Sequence, residues 1–265
     1  MRVDAPTLSL KPIMKTIDIN SDLGEGYGDY AKADDAAILG LITSANVACG
    51  FHAGDYMTMH QTAVLANKNG VRIGAHVGYP DIQGFGRRHI AYTPKELELM
   101  TIYQLGALRA IAEHAGSRLT HANFHGALGN LSFVDEDVSL ATLSAVKAFD
   151  PTLKFVALPH TAAYLVAQKL GIDIVASFLA DRAYTPDGVL VSRKTPGAVI
   201  HDPAVIRERV QRVLQDGKVR AIDGTELDMP VDSILVHSDT PDSIEIARTI
   251  RQAAQDIGYP IAAFA

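Results

Sequence analysis

Histidines and carboxylates recur in this chain beside glycine, in short clusters. Asp18, Asn20 and Asp22 alternate and lead into Glu25; His52 and Asp55 share a Gly-Phe-His-Ala-Gly-Asp turn. His76 and Asp81 flank Gly-Tyr-Pro, with Arg87 and Arg88 close behind. His125 opens His-Gly-Ala-Leu; Asp181 and Arg182 are neighbours, as are His237 and Asp239. Such groups can do general acid–base work or hold a metal ion. Arginine adds a planar fork suited to a carboxylate or phosphate. The one cysteine, Cys49, lies three residues before His52. It reads either as a nucleophile or as a small apolar filler, and the lack of a nearby relay favours the filler.

Several common chemistries are missing. The glycines at 24, 26 and 28 stop short of a dinucleotide fingerprint, because Asp29 stands where the third glycine belongs. Walker A, Gly-x-Ser-x-Gly and His-Glu-x-x-His patterns are absent. One cysteine permits no internal disulfide. A net charge of −6 gives no basic footprint for nucleic acid or a membrane surface. No apolar run approaches the roughly 20 residues of a spanning helix, and the first residues lack a secretory h-region. A cytoplasmic protein is expected.

Short β-branched runs supply the positions these groups need. Strands are predicted at 15–20, 45–49, 71–75, 118–124, 153–158, 172–178 and 233–237. Between them lie helical segments with legible ends, such as Thr93-Pro94 with Glu96 as a capping box and Gly116 as the stop. Seven alternations of strand and helix mean parallel β with helical crossovers. His52, His76, His125, His160 and His237 each fall just past a strand, so the polar groups collect at many strand ends. That favours a distorted (β/α) barrel of about seven strands over an open sheet. Residues 1–13 are expected as an extension and 14–265 as one barrel domain, with a hairpin excursion near 182–200 around Pro186-Asp187-Gly188.

Together "DINSDLGEGYG", "SANVACGFHAGDYMTM", "GVRIGAHVGYPDIQGFGRR", "HGAL", "ADRAYTPDGVLVSR" and "ILVHSDTP" resemble the LamB/YcsF family across residues 14–260. The resemblance implies a barrel of the glycoside hydrolase/deacetylase type. It also implies the role of the A subunit in an ATP-dependent 5-oxoprolinase, which opens 5-oxo-L-proline to L-glutamate with partner subunits B and C. ATP would be shared with those partners, and a homo-oligomer is possible. On this reading Asp22, His52, Asp55, His76 and His125 are catalytic, with Asp22 or Asp55 activating water. Glu25, Asp81, Arg87, Arg88, Asn123, Asp181, Arg182 and His237 bind substrate. Two alternatives remain open. A metal-dependent amide hydrolase or deacetylase would use Asp22, His52 and His125 as ligands of a divalent metal. A non-catalytic homologue would explain why Asn123 and Phe124 stand where that family carries Lys-Pro; Gly129, Ser238 and Thr240 also depart from its pattern.

Overall fold

A computed structural model describes residues 15–30, 33–240 and 242–264. The expected extension at 1–13 lies outside them. Seven strands, all parallel, close into a barrel. They are β1 (Asp18–Leu23), β2 (Ser44–Ala48), β3 (Arg72–Val77), β4 (Leu119–Phe124), β5 (Lys154–Ala157), β6 (Ile174–Leu179) and β9 (Ser233–Val236). All seven fall where the sequence predicts them, within three residues at each end. An antiparallel ribbon of β7 (Lys218–Arg220) and β8 (Glu226–Asp228) stands outside the barrel, so β6 pairs directly with β9. The crossovers carry α1 (Asp35–Leu39), α2 (Tyr56–Lys68), α3 (Pro94–His114), α4 (Gly126–Ser132), α5 (Glu136–Phe149), α6 (Ala162–Leu170), α7 (Pro203–Asp216) and α8 (Ser243–Asp256). No helix among the described residues is long and apolar enough to cross a membrane.

Local chemistry sets several ends. Thr93 Oγ1 accepts from the Glu96 amide, and the Glu96 carboxylate accepts from the Thr93 amide, closing the box at the start of α3. Gly171 takes a left-handed turn after α6 with φ 65°, which lacks a Cβ penalty only in glycine. The excursion expected at 182–200 is a short, irregular hairpin. About Pro186-Asp187-Gly188 the Thr185 amide donates to Val189 O (2.8 Å) and the Val191 amide to Ala183 O (3.0 Å), and antiparallel bridges join Arg182 with Val199 and Tyr184 with Leu190, without regular strands. Two features were not expected: the ribbon at 218–228, around Asp223-Gly224, and the helices α4 and α5 between β4 and β5.

The apolar core fills the space between strands and helices, with Ile19, Leu23, Val47, Ile73, Leu105, Leu108, Leu143 and Ile250 all buried. The alternate residues of β1 and β2 build a polar column instead. Asp18 accepts from the hydroxyls of Thr43 (2.6 Å), Ser44 (2.7 Å) and Ser233 (2.5 Å). Asn20 donates to Ser44 Oγ (2.7 Å) and accepts from Asn46. Asn46 also donates to Asp22 (2.9 Å) and meets His121 Nε2 at 3.0 Å. The column is buried throughout, and each buried polar group in it is matched. It ends at Asp22, where the strands open.

Candidate active site

Glu25 sits at the centre of the barrel mouth. Its Oε1 lies 3.3 Å from His52 Nε2, 3.7 Å from His76 Nε2 and 3.4 Å from His125 Nδ1. His125 Nδ1 and His76 Nε2 are 2.9 Å apart, and the rings of His52 and His125 stack at 3.8 Å. The four side chains come from the ends of β1, β2, β3 and β4. His76 lies inside β3; the others follow their strands on turns. Gly24, with φ 68°, redirects the chain so that Glu25 folds back over the opening.

The loop after β3 holds His125 in place. Phe85 and Gly86 are both left-handed, with φ 53° and 60°. For Phe85 that costs roughly 1–3 kcal/mol. The conformation aims the Phe85 carbonyl at His125 Nε2, 2.9 Å away. A nitrogen facing a carbonyl must carry the proton. Nδ1 of a neutral His125 is then bare and faces Glu25 and His76. Gly86 itself passes so close that a Cβ there would meet His52 Cβ at 2.6 Å.

Burial keeps the three imidazoles neutral. It lowers the pKa of His52 well below the usual range, and those of His76 and His125 to about 3. Burial also raises Glu25 well above an ordinary carboxyl, with Asp22 and Asp239 adding like charge. Asp22 is raised too, chiefly by burial, and its Oδ1 lies 3.6 Å from His76 Nε2. Across the mouth, His237 Nδ1 pairs with Asp181 at 3.1 Å. Burial opposes charge on His237, but Asp181 and Asp22 together outweigh it and the pKa is raised. Asp22, Glu25, His76, Arg87, Asn123, His125, Arg182, His237 and Asp239 line one cavity of about 600 Å³.

Several predicted residues serve elsewhere. Asp55 caps α2, accepting from the amides of Met57 (2.8 Å) and Thr58 (3.0 Å), and also from Gly28. It takes no part in the cluster. Asp81 and Arg88 pair with each other, Nε to Oδ2 at 3.0 Å, and Asp81 accepts from the Gly84 amide; together they staple the loop and do not line the cavity. Asp181 lies behind His237. Arg182 lines the cavity, but its Nε and Nη2 donate to Ala198 O (3.2 Å) and Val191 O (2.7 Å). Arg87 is held by Asp239 at 2.7 Å. Asn123 donates to Val156 O at 3.3 Å. Asp22 falls at the cluster's edge, and Glu25 takes the place expected for it beside His52 and His125. Cys49 is buried and its Sγ faces Val47 O, with the thiol pushed up to about 12 by burial, which favours the filler over the nucleophile. Sequence reasoning missed Asn46 and His121, although Asn46 alternates with Ser44 on β2.

A family model described as the LamB/YcsF family matches residues 17–265. The chain belongs to the LamB/YcsF family. A relative from Nitrobacter hamburgensis, named as the A subunit of 5-oxoprolinase, is 48% identical over 250 residues, covering 94% of this chain and 98% of that one. One of the same name from Nitrobacter winogradskyi is 49% identical over 250 residues, with the same coverage. The crystal structure of the lactam utilization protein from Thermus thermophilus superimposes with a TM-score of 0.90 at 40% identity, covering 94% of this chain and all of that one. A putative cellobiose-phosphate cleavage protein from Enterococcus faecalis is similar in fold alone, with a TM-score of 0.57 at 13% identity over 94% of this chain and 97% of that one. So is the catalytic domain of a peptidoglycan N-acetylglucosamine deacetylase from Eubacterium rectale, at 0.50 and 11% over 97% and 91%. LamB/YcsF membership and these relatives' names support a hydrolase role in lactam utilization.

Proposed function

We propose that this LamB/YcsF protein is the lactam-opening subunit of a cytoplasmic, ATP-dependent 5-oxoprolinase, acting with subunits B and C. The buried Glu25–His52–His76–His125 cluster at the barrel mouth carries the reading, together with the names of its relatives. In this scheme the γ-phosphoryl group of ATP passes to the lactam carbonyl oxygen, releasing ADP. Water adds to the activated carbon, and Asp22 takes its proton. The C–N bond breaks as His237, charged by Asp181, protonates the departing nitrogen. A second water then displaces phosphate, leaving L-glutamate. Asn46 holds Asp22 in position, and the neutral imidazoles face the carbonyl oxygen.

The cluster also fits a divalent cation. Four ligands about 2.1 Å from an ion at tetrahedral corners lie roughly 3.4 Å apart. The three edges from Glu25 and the one between His76 and His125 run from 2.9 to 3.7 Å, and all four ligand atoms lie within 4.8 Å of one another. The ligand atoms are neutral imidazole nitrogens and a carboxylate oxygen, the donor set zinc accepts. Glu25, His52, His76 and His125 would hold the ion, which would polarise the bound carbonyl. This geometry favours a second reading, a metal-dependent amide hydrolase that needs no ATP. Glutamate release from 5-oxo-L-proline by the chain with subunits B and C, with and without ATP, separates the two. ATP-dependent release supports the first; release by the chain alone without ATP replaces it with the second.

A further inference from the structure

Three arginines line the cavity, and two are committed. Arg87 is paired with Asp239, and Arg182 donates to the Val191 and Ala198 carbonyls. Arg193 has no hydrogen bond or ion pair from its side chain to any described residue. It lies in a tight turn closed by the Thr195 amide on Ser192 O at 2.9 Å, with Lys194 as the other central residue. The feet of that turn are fixed. Val191 and Ala198 are buried against Ala183, and Arg182 ties their carbonyls together from below. Arg193 and Lys194 are both exposed, and both line the cavity. The charge of Arg193 reaches the cavity floor, where it acts on Asp181, His237 and Asp239.

A turn anchored at both feet, whose two central residues are cations without a partner among the described residues, is suited to meet an anion. We propose that Arg193, supported by Lys194, forms an anion subsite at the cavity mouth that holds the substrate's carboxylate opposite the Glu25 cluster. The proposal rests on the lactam reading and deepens it. An arginine fork binds a carboxylate through two parallel hydrogen bonds, and Arg182, one of the arginines expected from sequence to bind substrate, instead shapes the turn that presents Arg193.

The test is calorimetric titration of the full chain, wild type and Arg193→Gln and Arg193→Lys, against four probes. These are 5-oxo-L-proline, 2-pyrrolidinone (the same ring without a carboxylate), N-acetylglycine (an open-chain amide with one) and inorganic phosphate. Arg193→Gln should weaken 5-oxo-L-proline on the order of tenfold to a hundredfold and leave 2-pyrrolidinone unchanged. Arg193→Lys should fall between. With subunits B and C, Arg193→Gln should raise KM far more than it lowers kcat. An unfolding midpoint equal to wild type excludes a folding defect. Equal 5-oxo-L-proline affinity in wild type and Arg193→Gln overturns the proposal. So does a loss confined to phosphate, which would assign the turn to the transferred phosphoryl group. If N-acetylglycine binds through Arg193 while 5-oxo-L-proline binds neither wild type nor variant, the subsite stands and the lactam reading falls.

Discussion

Asp18 offers a measurement of the polar column itself. It is a buried carboxyl whose pKa rises from 3.8 to about 6, because burial outweighs three hydroxyl donors and the charge of Arg72. The folded protein therefore keeps this proton to about pH 6, while the unfolded chain releases it near 3.8. Between those values the native state binds more protons, so stability falls as pH rises and levels off above about 6. Roughly two pKa units correspond to about 3 kcal/mol, of which about 2 kcal/mol falls between about pH 4 and pH 8. Asp18→Asn removes the titration and keeps the shape. Urea denaturation of both proteins at intervals across that range gives the difference in stability, in which the constant effects of the substitution cancel. The variant should gain about 2 kcal/mol on wild type from the acid end to the alkaline end. A difference that stays flat, or that grows toward low pH, would refute the reasoning.

Glu25→Gln should abolish 5-oxo-L-proline turnover by the assembled enzyme and, where the purified wild type carries a metal by elemental analysis, lower its content; turnover at the wild-type rate would remove Glu25 from the chemistry. Asp55→Ala should cost about 1 kcal/mol in thermal or urea unfolding, the usual loss of a helix cap, and leave kcat within about twofold. Cys49→Ala should keep most activity, and the wild-type thiol should react slowly with thiol reagents until the protein unfolds, since burial holds it protonated.

The barrel was legible because its strands are short β-branched runs ended by polar residues, and period and punctuation carry that signal. The adjacency of β6 and β9 followed from the same reading, in which residues 182–200 already stood as an excursion between the sixth and seventh strands; the ribbon at 218–228 did not. The ribbon had a signal in Asp223-Gly224, but Pro186-Asp187-Gly188 offers the same turn chemistry and competes with it. At the site, the strand-end histidines His52, His76 and His125 were found because their spacing relative to strands is visible. Choosing between Asp22 and Glu25 required the backbone turn at Gly24, which decides which carboxylate folds over the opening. Asp55 misled for a physical reason. An aspartate before a helix caps it or does chemistry with the same oxygens, and only the three amides it accepts from distinguish the two. Arg182 misled similarly, because a buried guanidinium satisfies backbone carbonyls as readily as a ligand.

The four clustered side chains all come from the first 125 residues, while Arg182, Arg193 and His237 reach the cavity from the second half. The turn that presents Arg193 is anchored by its own segment, residues 182–198, not by the cluster. The proposed carboxylate subsite is thus separable from the reacting groups of the scheme, Asp181 and His237 included, which all lie outside that segment. Exchange of that one segment between relatives could retune which molecules are accepted while the bond-breaking apparatus is inherited intact.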